Sequence, residues 1–306
     1  MLEVQGLAKS YAGSPALIDV SFSVSRGEVV ALLGANGSGK TTTINAICRL
    51  LDWDAGDIHF DGESVRGMSE YLRSVGAVLG GSRNTNYRLT AAQNAEYFAR
   101  LRGFSGKAVR TKIDDLEKRL GLDVHRKKEV MKLSTGNKQK AAMLSALSYS
   151  PDLLLLDEPT LGLDFTTVEE LRNIIRYQAQ HDEQGFLITS HDMGFIDDLC
   201  TRVVVLEQGR CLFDGNIEAL KSRLFRYRLA VSLPPSVDVN DLIPLWLGRH
   251  TFALKEDVLN VQFDEPQQCL ATMHYLHSHQ VNPSELSVQP MTMEQAYQSL
   301  VAEDAV

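Results

Sequence analysis

The sequence predicts an α/β fold in which a parallel β-sheet is covered by helices on both faces. Four short segments, at 29–33, 153–156, 186–189 and 203–206, are almost entirely apolar, as strands buried on both faces require. Before residue 33, apolar and polar residues alternate, as in VSFSV at 20–24. This alternation predicts an additional, half-exposed antiparallel sheet.

A mainly helical stretch is expected at about 85–150. Thr90 and Gln93 have the spacing of a capping box that opens a helix, and Gly103 is expected to end it. Apolar residues at helical spacing then precede Gly121, and they are Val109, Ile113, Leu116 and Leu120. This stripe predicts a packed helix face rather than a ligand site.

The last part of the chain has a different pattern and predicts a small separate α/β domain. It contains the proline pair at 234–235, strand-like segments at 251–254 and 258–263, and a helix near 267–278. A further strand at 285–288 and a helix at 293–301 follow. The predicted domains are therefore residues 1–220 and 221–306.

Composition and charge narrow the possible functions. The length of 306 residues suits about two domains, and the net charge of −8 disfavours binding to nucleic acid, which needs a basic face. No apolar run reaches the roughly 18 residues that span a bilayer, and the N-terminus lacks a leader pattern. The cysteines lie far apart and indicate reduced thiols rather than disulfides or zinc ligands, and they are Cys48, Cys200, Cys211 and Cys269.

The segment GANGSGKT at 34–41 directly follows the apolar segment at 29–33 and fits GxxxxGK[ST]. In such a loop, glycines let the backbone wrap round a phosphate, Lys40 neutralises the β and γ oxygens, and Thr41 holds Mg²⁺. The sequence therefore predicts a nucleoside triphosphate site, although kinases, GTPases and motors all share this loop. The candidate nucleotide-binding residues here are Gly34, Asn36, Gly37, Ser38, Gly39, Lys40, Thr41 and Thr42.

Two adjacent carboxylates follow the apolar run at 153–156. Asp157 and Glu158 are expected at the C-terminal edge of a buried strand, beside the phosphate loop, and Pro159 then ends the strand. At that place Asp157 can join the Mg²⁺ shell, and Glu158 can polarise a water molecule.

The segment LSTGNKQK at 133–140 resembles the LSGGQ-type signature of the ATP-binding cassette (ABC) family. Ser134 is a good helix N-cap and Gly136 permits close backbone approach. The order of phosphate loop, signature, LLLLDE, LGLD at 161–164 and ITSH at 188–191 is that of the family. The resemblance covers about residues 1–220 and implies a P-loop NTPase cassette with a RecA-like parallel core, an antiparallel β subdomain and a helical subdomain at about 85–150.

The resemblance also implies a role for each matching residue. Lys40, Thr41 and Asp157 match the family's phosphate and Mg²⁺ ligands, so ATP and Mg²⁺ are the expected cofactors. The other matches are Tyr11, which stacks on adenine, Glu158, the general base, Asp164, which communicates between two sites, and His191, which senses the γ-phosphate. Because cassettes of this family meet head to tail, Ser134 and Gly136 would complete the ATP site of the opposite subunit.

With one cassette and no membrane-spanning run, the resemblance implies a separate transmembrane permease subunit and a dimer with an identical or related cassette. The chain would then lie on the cytoplasmic face of the cell membrane. The stretch VGAVLGGSRNTNYRLTAAQN and the tail resemble the drug, antibiotic and polysaccharide exporter branch, which contains the daunorubicin exporter ATPase. The alternatives are an importer ATPase, a soluble non-transport ABC ATPase, and a binding module with an inactive site.

One position departs from the family pattern. Gly80, in the segment AVLGGSRN, falls where the family usually has a glutamine, or a glutamate in the exporter branch, that reaches Mg²⁺ and the attacking water. The departure reflects either a one-residue misalignment or tolerated drift, or a substitution of that role by backbone carbonyls or by Ser82 and Asn84 through water. A substitution of this kind would loosen the link between the bound nucleotide and the membrane subunit.

Three further groups of residues carry weaker functional signals. His274, His277 and His279 lack an evident fourth ligand, so a structural or solvated role is favoured over metal binding. The basic and aromatic stretch at 221–228 is interpreted as a solvated strand face rather than a lipid contact. The segment RKK at 126–128 is interpreted as exposed charge.

Overall fold

The computed structural model describes residues 1–68, 70–80, 85–223, 227–232, 251–255, 258–263, 270, 273–274, 276–277, 286–290 and 292–304. The chain divides into two compact units, Met1–Gly215 and Asn216–Val306. This division concerns compactness alone, so the functional assignment of residues 1–220 and 221–306 to two domains stays a prediction.

A six-stranded sheet forms the centre of the first unit, in the order β10-β9-β3-β8-β7-β6. Its strands are β3 (Val29–Gly34), β6 (Val75–Val78), β7 (Leu153–Asp157), β8 (Gly185–Thr189), β9 (Arg202–Glu207) and β10 (Arg210–Asn216). The pairs β3·β8, β3·β9, β6·β7 and β7·β8 are parallel. The four strands predicted from apolar runs are confirmed, and their apolar residues are buried throughout.

The predicted antiparallel sheet is also present. It contains β1 (Leu2–Tyr11), β2 (Ser14–Val24), β4 (Ala55–Phe60) and β5 (Glu63–Ser64), in the order β2-β1-β4-β5. In β2, Val20, Phe22 and Val24 are buried while Ser21 is exposed, as the alternation predicts. The buried face joins one hydrophobic core with Val30 of β3 and Ile44 of the next helix.

The helices of the first unit lie between these strands along the chain, and three of them stand in succession between β6 and β7. They are α1 (Lys40–Ile47), α2 (Tyr71–Ser74), α3 (Ala91–Leu101), α4 (Lys107–Arg119), α5 (Thr135–Leu147), α6 (Phe165–His181) and α7 (Met193–Leu199). The capping box of α3 is confirmed, since Thr90 and Gln93 exchange both hydrogen bonds. The apolar stripe of α4 is buried, as predicted for a packing face.

The second unit is built on a four-stranded antiparallel sheet in the order β12-β13-β11-β14. Its elements are α8 (Ile217–Arg223), β11 (Tyr227–Ser232), β12 (Thr251–Lys255), β13 (Val258–Phe263), β14 (Leu286–Pro290) and α9 (Met293–Asp304). The strands and the last helix predicted here are therefore present. The described residues of the predicted helix near 267–278 are helical, and the proline pair lies outside the described residues.

Within the described part of the chain, no helix combines the length and the apolar character that crossing a bilayer would demand.

Candidate nucleotide site

The loop between β3 and α1 depends on glycines at its two ends. Gly34 has φ +157°, and a Cβ there would lie 2.2 Å from Ser38 Oγ and 2.4 Å from the Leu206 carbonyl oxygen. Gly39 has φ +109°, and a Cβ would lie 2.5 Å from Leu17 Cδ2. Side chains at either position would displace backbone or core atoms, so this loop conformation requires glycine.

A hairpin turn braces the phosphate loop from behind. Gln208 and Gly209, between β9 and β10, both have positive φ, which is the geometry of a type I′ turn. The Gly209 N–H donates to the Ser38 carbonyl (3.1 Å), and the Gly209 carbonyl accepts from the Ile18 N–H (2.6 Å). This contact was not predicted from the sequence, although a glycine between two apolar runs is a turn signal.

Lys40 lies inside its own loop. Its Nζ donates to the carbonyl oxygens of Gly34 (2.6 Å) and Ala35 (3.0 Å). Burial lowers the pKa of this ammonium, and the charges of Glu158 and Asp157 oppose the shift. A desolvated cation between two backbone carbonyls is well suited to exchange these weak partners for phosphate oxygens.

Both oxygens of the Asp157 carboxylate have partners. Asp157 pairs in register with Thr189 of the adjacent strand, and the Thr189 hydroxyl donates to Oδ1 (2.6 Å). The Gly80 N–H donates to Oδ2 (3.4 Å). Neighbouring parallel strands thus fix the orientation of the carboxylate at their C-terminal edge.

The oxygen atoms at this edge suit a magnesium ion. The Thr41 hydroxyl and the Asp157 carboxylate line the same cavity, and hard oxygen ligands are those that Mg²⁺ prefers. Ser38 Oγ is buried without a hydrogen-bond partner among the described residues. The residues present therefore fit an ATP–Mg²⁺ complex.

Glu158 is held in a special backbone conformation. Its φ is +51°, and its N–H donates to both the carbonyl oxygen and the hydroxyl of Thr189 (3.0 Å each). Its side chain meets His191, because Oε2 accepts from the His191 N–H (3.2 Å) and Oε1 lies 3.3 Å from Nε2. The carboxylate is thereby oriented beside the phosphate loop, in a place where it can accept a proton from water.

One cavity of about 410 Å³ brings most of the predicted residues together. This volume is within the usual range for ligand sites. Its lining includes Tyr11, Asn36, Gly37, Gly39, Lys40, Thr41, Thr42, Asp157, Glu158 and His191. Gly34 and Ser38, also predicted, lie at the back of the loop and shape it. The Tyr11 ring is half-exposed, with Lys9 Nζ 5.8 Å from its centroid.

Besides Gly34 and Ser38, three predicted residues do not line this cavity. Ser134 caps α5 and accepts from the Asn137 N–H (3.3 Å). Asp164 caps α6 and accepts from the Thr167 N–H (2.9 Å), and hydrogen bonds from Thr167 hold the pKa of Asp164 below its ordinary value. Gly136 faces Thr167, whose Oγ1 would lie 3.1 Å from a Cβ at that position. Ser134, Gly136 and Asp164 form what we call the signature surface.

Gly80 contacts Asp157 through its N–H, whereas the substitution suggested from the sequence uses backbone carbonyls, so that substitution stays a prediction. A Cβ at Gly80 would lie 3.3 Å from Asp157 Oδ2. A side chain at this position would therefore start beside the candidate metal ligand. Ser82 and Asn84, the other suggested substitutes, lie outside the described residues.

The weaker signals have separate outcomes. His274 and His277 are exposed, His279 lies outside the described residues, and no metal-binding group of side chains occurs in the part of the chain that the structure describes. Arg126 is exposed, as interpreted from the sequence, and in addition its Nε lies 3.1 Å from a carboxylate oxygen of the buried Glu117. A buried acid requires such a partner.

The cysteines, which the sequence predicts to be reduced thiols, lie in separate parts of the chain. Cys48 and Cys200 are buried, Cys211 is partly buried and all three are free thiols. Burial raises the pKa of Cys48 to about 12. Cys269 lies outside the described residues.

The fold and the phosphate-loop cavity define a P-loop ATPase cassette. A family model described as "ABC transporter" matches residues 17–161. The ABC transporter ATP-binding protein NatA of Bacillus subtilis is 37% identical over 206 residues, covering 67% of this chain and 83% of NatA. The chain therefore belongs to the ABC transporter family and is an ATP-hydrolysing subunit of that family.

Other relatives carry different transport names. The methionine import ATP-binding protein MetN of Caulobacter vibrioides is 34% identical over 229 residues, covering 71% of this chain and 68% of MetN. The bacitracin transport ATP-binding protein BcrA of Bacillus licheniformis is 32% identical over 231 residues, covering 74% of this chain and 73% of BcrA. The similarity therefore shows an ABC transporter ATPase without singling out the daunorubicin exporter branch.

Solved structures agree with this assignment. An ATP-binding subunit of an ABC transporter is 29% identical with a TM-score of 0.68, covering 73% of this chain and 92% of that one. A bacterial ABC transporter cassette solved as a dimer is 25% identical with a TM-score of 0.64, covering 71% of this chain and 98% of that one. This related cassette therefore forms a dimer.

Proposed function

We propose that this chain hydrolyses ATP with Mg²⁺ to power a separate transmembrane permease, and that two cassettes close head to tail round the nucleotide. One observation carries the proposal: the signature surface lies apart from the cavity that holds the phosphate loop. Ser134 and Gly136 are absent from the lining of that cavity. A single chain therefore carries one half of each of two ATP sites, and a second cassette supplies the other halves.

The residues of the cavity have distinct tasks in this proposal. Lys40 binds the β- and γ-phosphates, and the Tyr11 ring stacks on adenine. Glu158 accepts the proton of the attacking water, and His191, which contacts Glu158 through two atoms, responds to the γ-phosphate. Thr41 and Asp157 would hold Mg²⁺, which when bound neutralises phosphate charge. Asp164 on the signature surface links the two sites of the dimer.

The direction of transport is proposed as export of a drug-like, lipid or polymer substrate. Two features support this direction. One is the sequence at 75–94, and the other is the second unit, which contains the helices α8 and α9 in addition to its strands. The importer branch more often carries an all-β tail. An importer ATPase and a soluble non-transport ABC ATPase are the alternatives. Whether the chain serves an exporter or an importer, its proposed location is the cytoplasmic face of the membrane.

The dependence of ATP turnover on protein concentration tests the proposed pairing. Because each complete site needs two chains, the turnover per chain should rise with protein concentration and level off as dimers form. Gel filtration with light scattering should show an ATP-dependent dimer. Turnover per chain that stays constant down to concentrations where the chain is monomeric would contradict the proposal.

The direction and the permease need a separate measurement. The chain should be purified together with its candidate permease and reconstituted in vesicles, and candidate compounds should be screened for stimulation of ATP turnover. Stimulation by amphipathic drugs or lipids, with their movement away from the nucleotide side, supports export. Stimulation only by a solute-binding protein and its solute would establish import instead.

A further inference from the structure

Lys140 is a buried cation that the proposed chemistry leaves unused. It lies on α5, one turn and a half beyond Ser134, and its side chain is only 11% exposed. From Lys140 to Leu147 every residue of α5 is buried. Burying a charge in a helix costs free energy unless the charge is paired. The group that pairs with Lys140 therefore indicates the role of this side chain.

The partner of Lys140 is Glu170 on α6. The ammonium contacts the Glu170 carboxylate directly, and Glu170 itself is 43% exposed. One helical turn before Lys140, Gly136 of the signature surface packs against Thr167 of α6. The two helices are thus joined at two successive levels, by a close backbone approach and by an ion pair.

This double contact fixes the groups of the signature surface relative to one another. Ser134 is the N-cap of α5 and Asp164 is the N-cap of α6, so the rotation of either helix would separate them. The charge of Lys140 also reaches Asp164, where it adds to the hydrogen bonds from Thr167 that lower the pKa of the carboxyl. The Lys140–Glu170 pair thus links the two helices whose N-caps belong to the signature surface.

We infer that Lys140 is a positioning residue, which through Glu170 aligns the signature surface for the ATP site of a second copy of this chain. The inference rests on the proposed pairing of cassettes. It assigns Lys140 no contact with the nucleotide bound by its own chain, since that cavity is lined by other residues. Loss of Lys140 should therefore damage the partner's site and leave its own phosphate loop intact.

The first test compares single variants. Lys140→Met and Glu170→Gln should each lower kcat by about tenfold to hundredfold, because a displacement near 1 Å can cost that much. Affinity of the isolated chain for ATP should be unchanged. Lys140→Arg and the charge swap Lys140→Glu with Glu170→Lys should recover turnover. Lys118→Met, which removes an exposed lysine of α4, is the matched control and should behave as wild type.

The second test uses mixed dimers. Lys140→Met chains retain Glu158, whereas Glu158→Gln chains retain an aligned signature surface. A mixture should therefore contain one repaired composite site and hydrolyse ATP faster than the two variants do separately. A purely structural defect in the Lys140→Met chain would yield no gain on mixing, and that result would overturn the inference.

Failure of this inference can be told from failure of the proposed function. Wild-type turnover must first depend on protein concentration, which tests the pairing itself. If it does, and Lys140→Met turns over ATP as wild type does, only the role of Lys140 is refuted. Thermal unfolding of each variant provides the check on folding, and Glu170→Gln with the charge swap carries the test if Lys140→Met does not fold.

Discussion

Replacement of Glu158 by glutamine should separate ATP binding from ATP hydrolysis. Glutamine has the same length and keeps an oxygen that can accept from the His191 N–H, now 3.2 Å from Oε2. The contacts of the Glu158 backbone with Thr189 are unaffected. What the variant loses is a group that can take a proton from water.

The expected loss of turnover follows from this single change. General base catalysis contributes about 10²–10⁴-fold, which corresponds to about 3–5 kcal/mol of barrier. Binding should not suffer, because the negative charge of Glu158 lies beside the loop that receives an anionic triphosphate. ATP affinity should therefore stay equal or increase.

The assay measures phosphate release at saturating ATP and, separately, nucleotide affinity by fluorescence. Glu63→Gln, which neutralises an exposed carboxylate on β5, is the control and should match wild type in both. Turnover of Glu158→Gln within a few-fold of wild type would remove Glu158 from the role of general base. Loss of ATP affinity together with turnover would show that the carboxylate acts in binding instead.

Three other predictions concern the loop, the helical stretch and the divergent glycine. Gly34→Ala should abolish ATP binding and lower the melting temperature, since the new Cβ would lie 2.2 Å from Ser38 Oγ; Gly62→Ala, with open space around it, should cost only about 1–2 kcal/mol and leave binding intact. Thr90→Ala removes the cap of α3 and should lower the free energy of unfolding by about 1 kcal/mol in urea titrations, with an unchanged KM for ATP. Gly80→Glu adds a carboxylate beside Asp157 and should lower the Mg²⁺ concentration that half-saturates ATP turnover, whereas identical Mg²⁺ titrations and identical permease stimulation would sink the proposed role of the bare backbone.

Local patterns were sufficient for those parts of the fold that depend on neighbouring residues. The apolar runs predicted β3, β7, β8 and β9 because strands buried on both faces tolerate few polar residues. The capping box at Thr90 was predictable because both of its hydrogen bonds lie within four residues. The phosphate loop could likewise be read from spacing, since glycine, lysine and threonine are required at fixed positions.

Contacts between distant segments could not be predicted in the same way. The strand β4 contains Gly56 and Asp57 and becomes a strand through its pairing with β1. The ion pair of Lys140 with Glu170 joins two helices across 30 positions of sequence, and no local pattern connects those residues. The bond between Gly209 and Ser38 has the same origin, because it depends on the placement of β9 beside β3.

The hairpin behind the phosphate loop has a consequence for how this chain can diversify. The turn at Gln208 and Gly209 belongs to the ATP site through its bonds to Ser38 and Ile18, whereas the strand that leaves it, β10, ends at Asn216, where the second unit begins. The two bonds that join Gly209 to Ser38 and to Ile18 are made before the chain crosses that boundary. Evolution, or a protein engineer, can therefore exchange the entire tail for another module at Asn216 while the ATP-binding loop keeps its support.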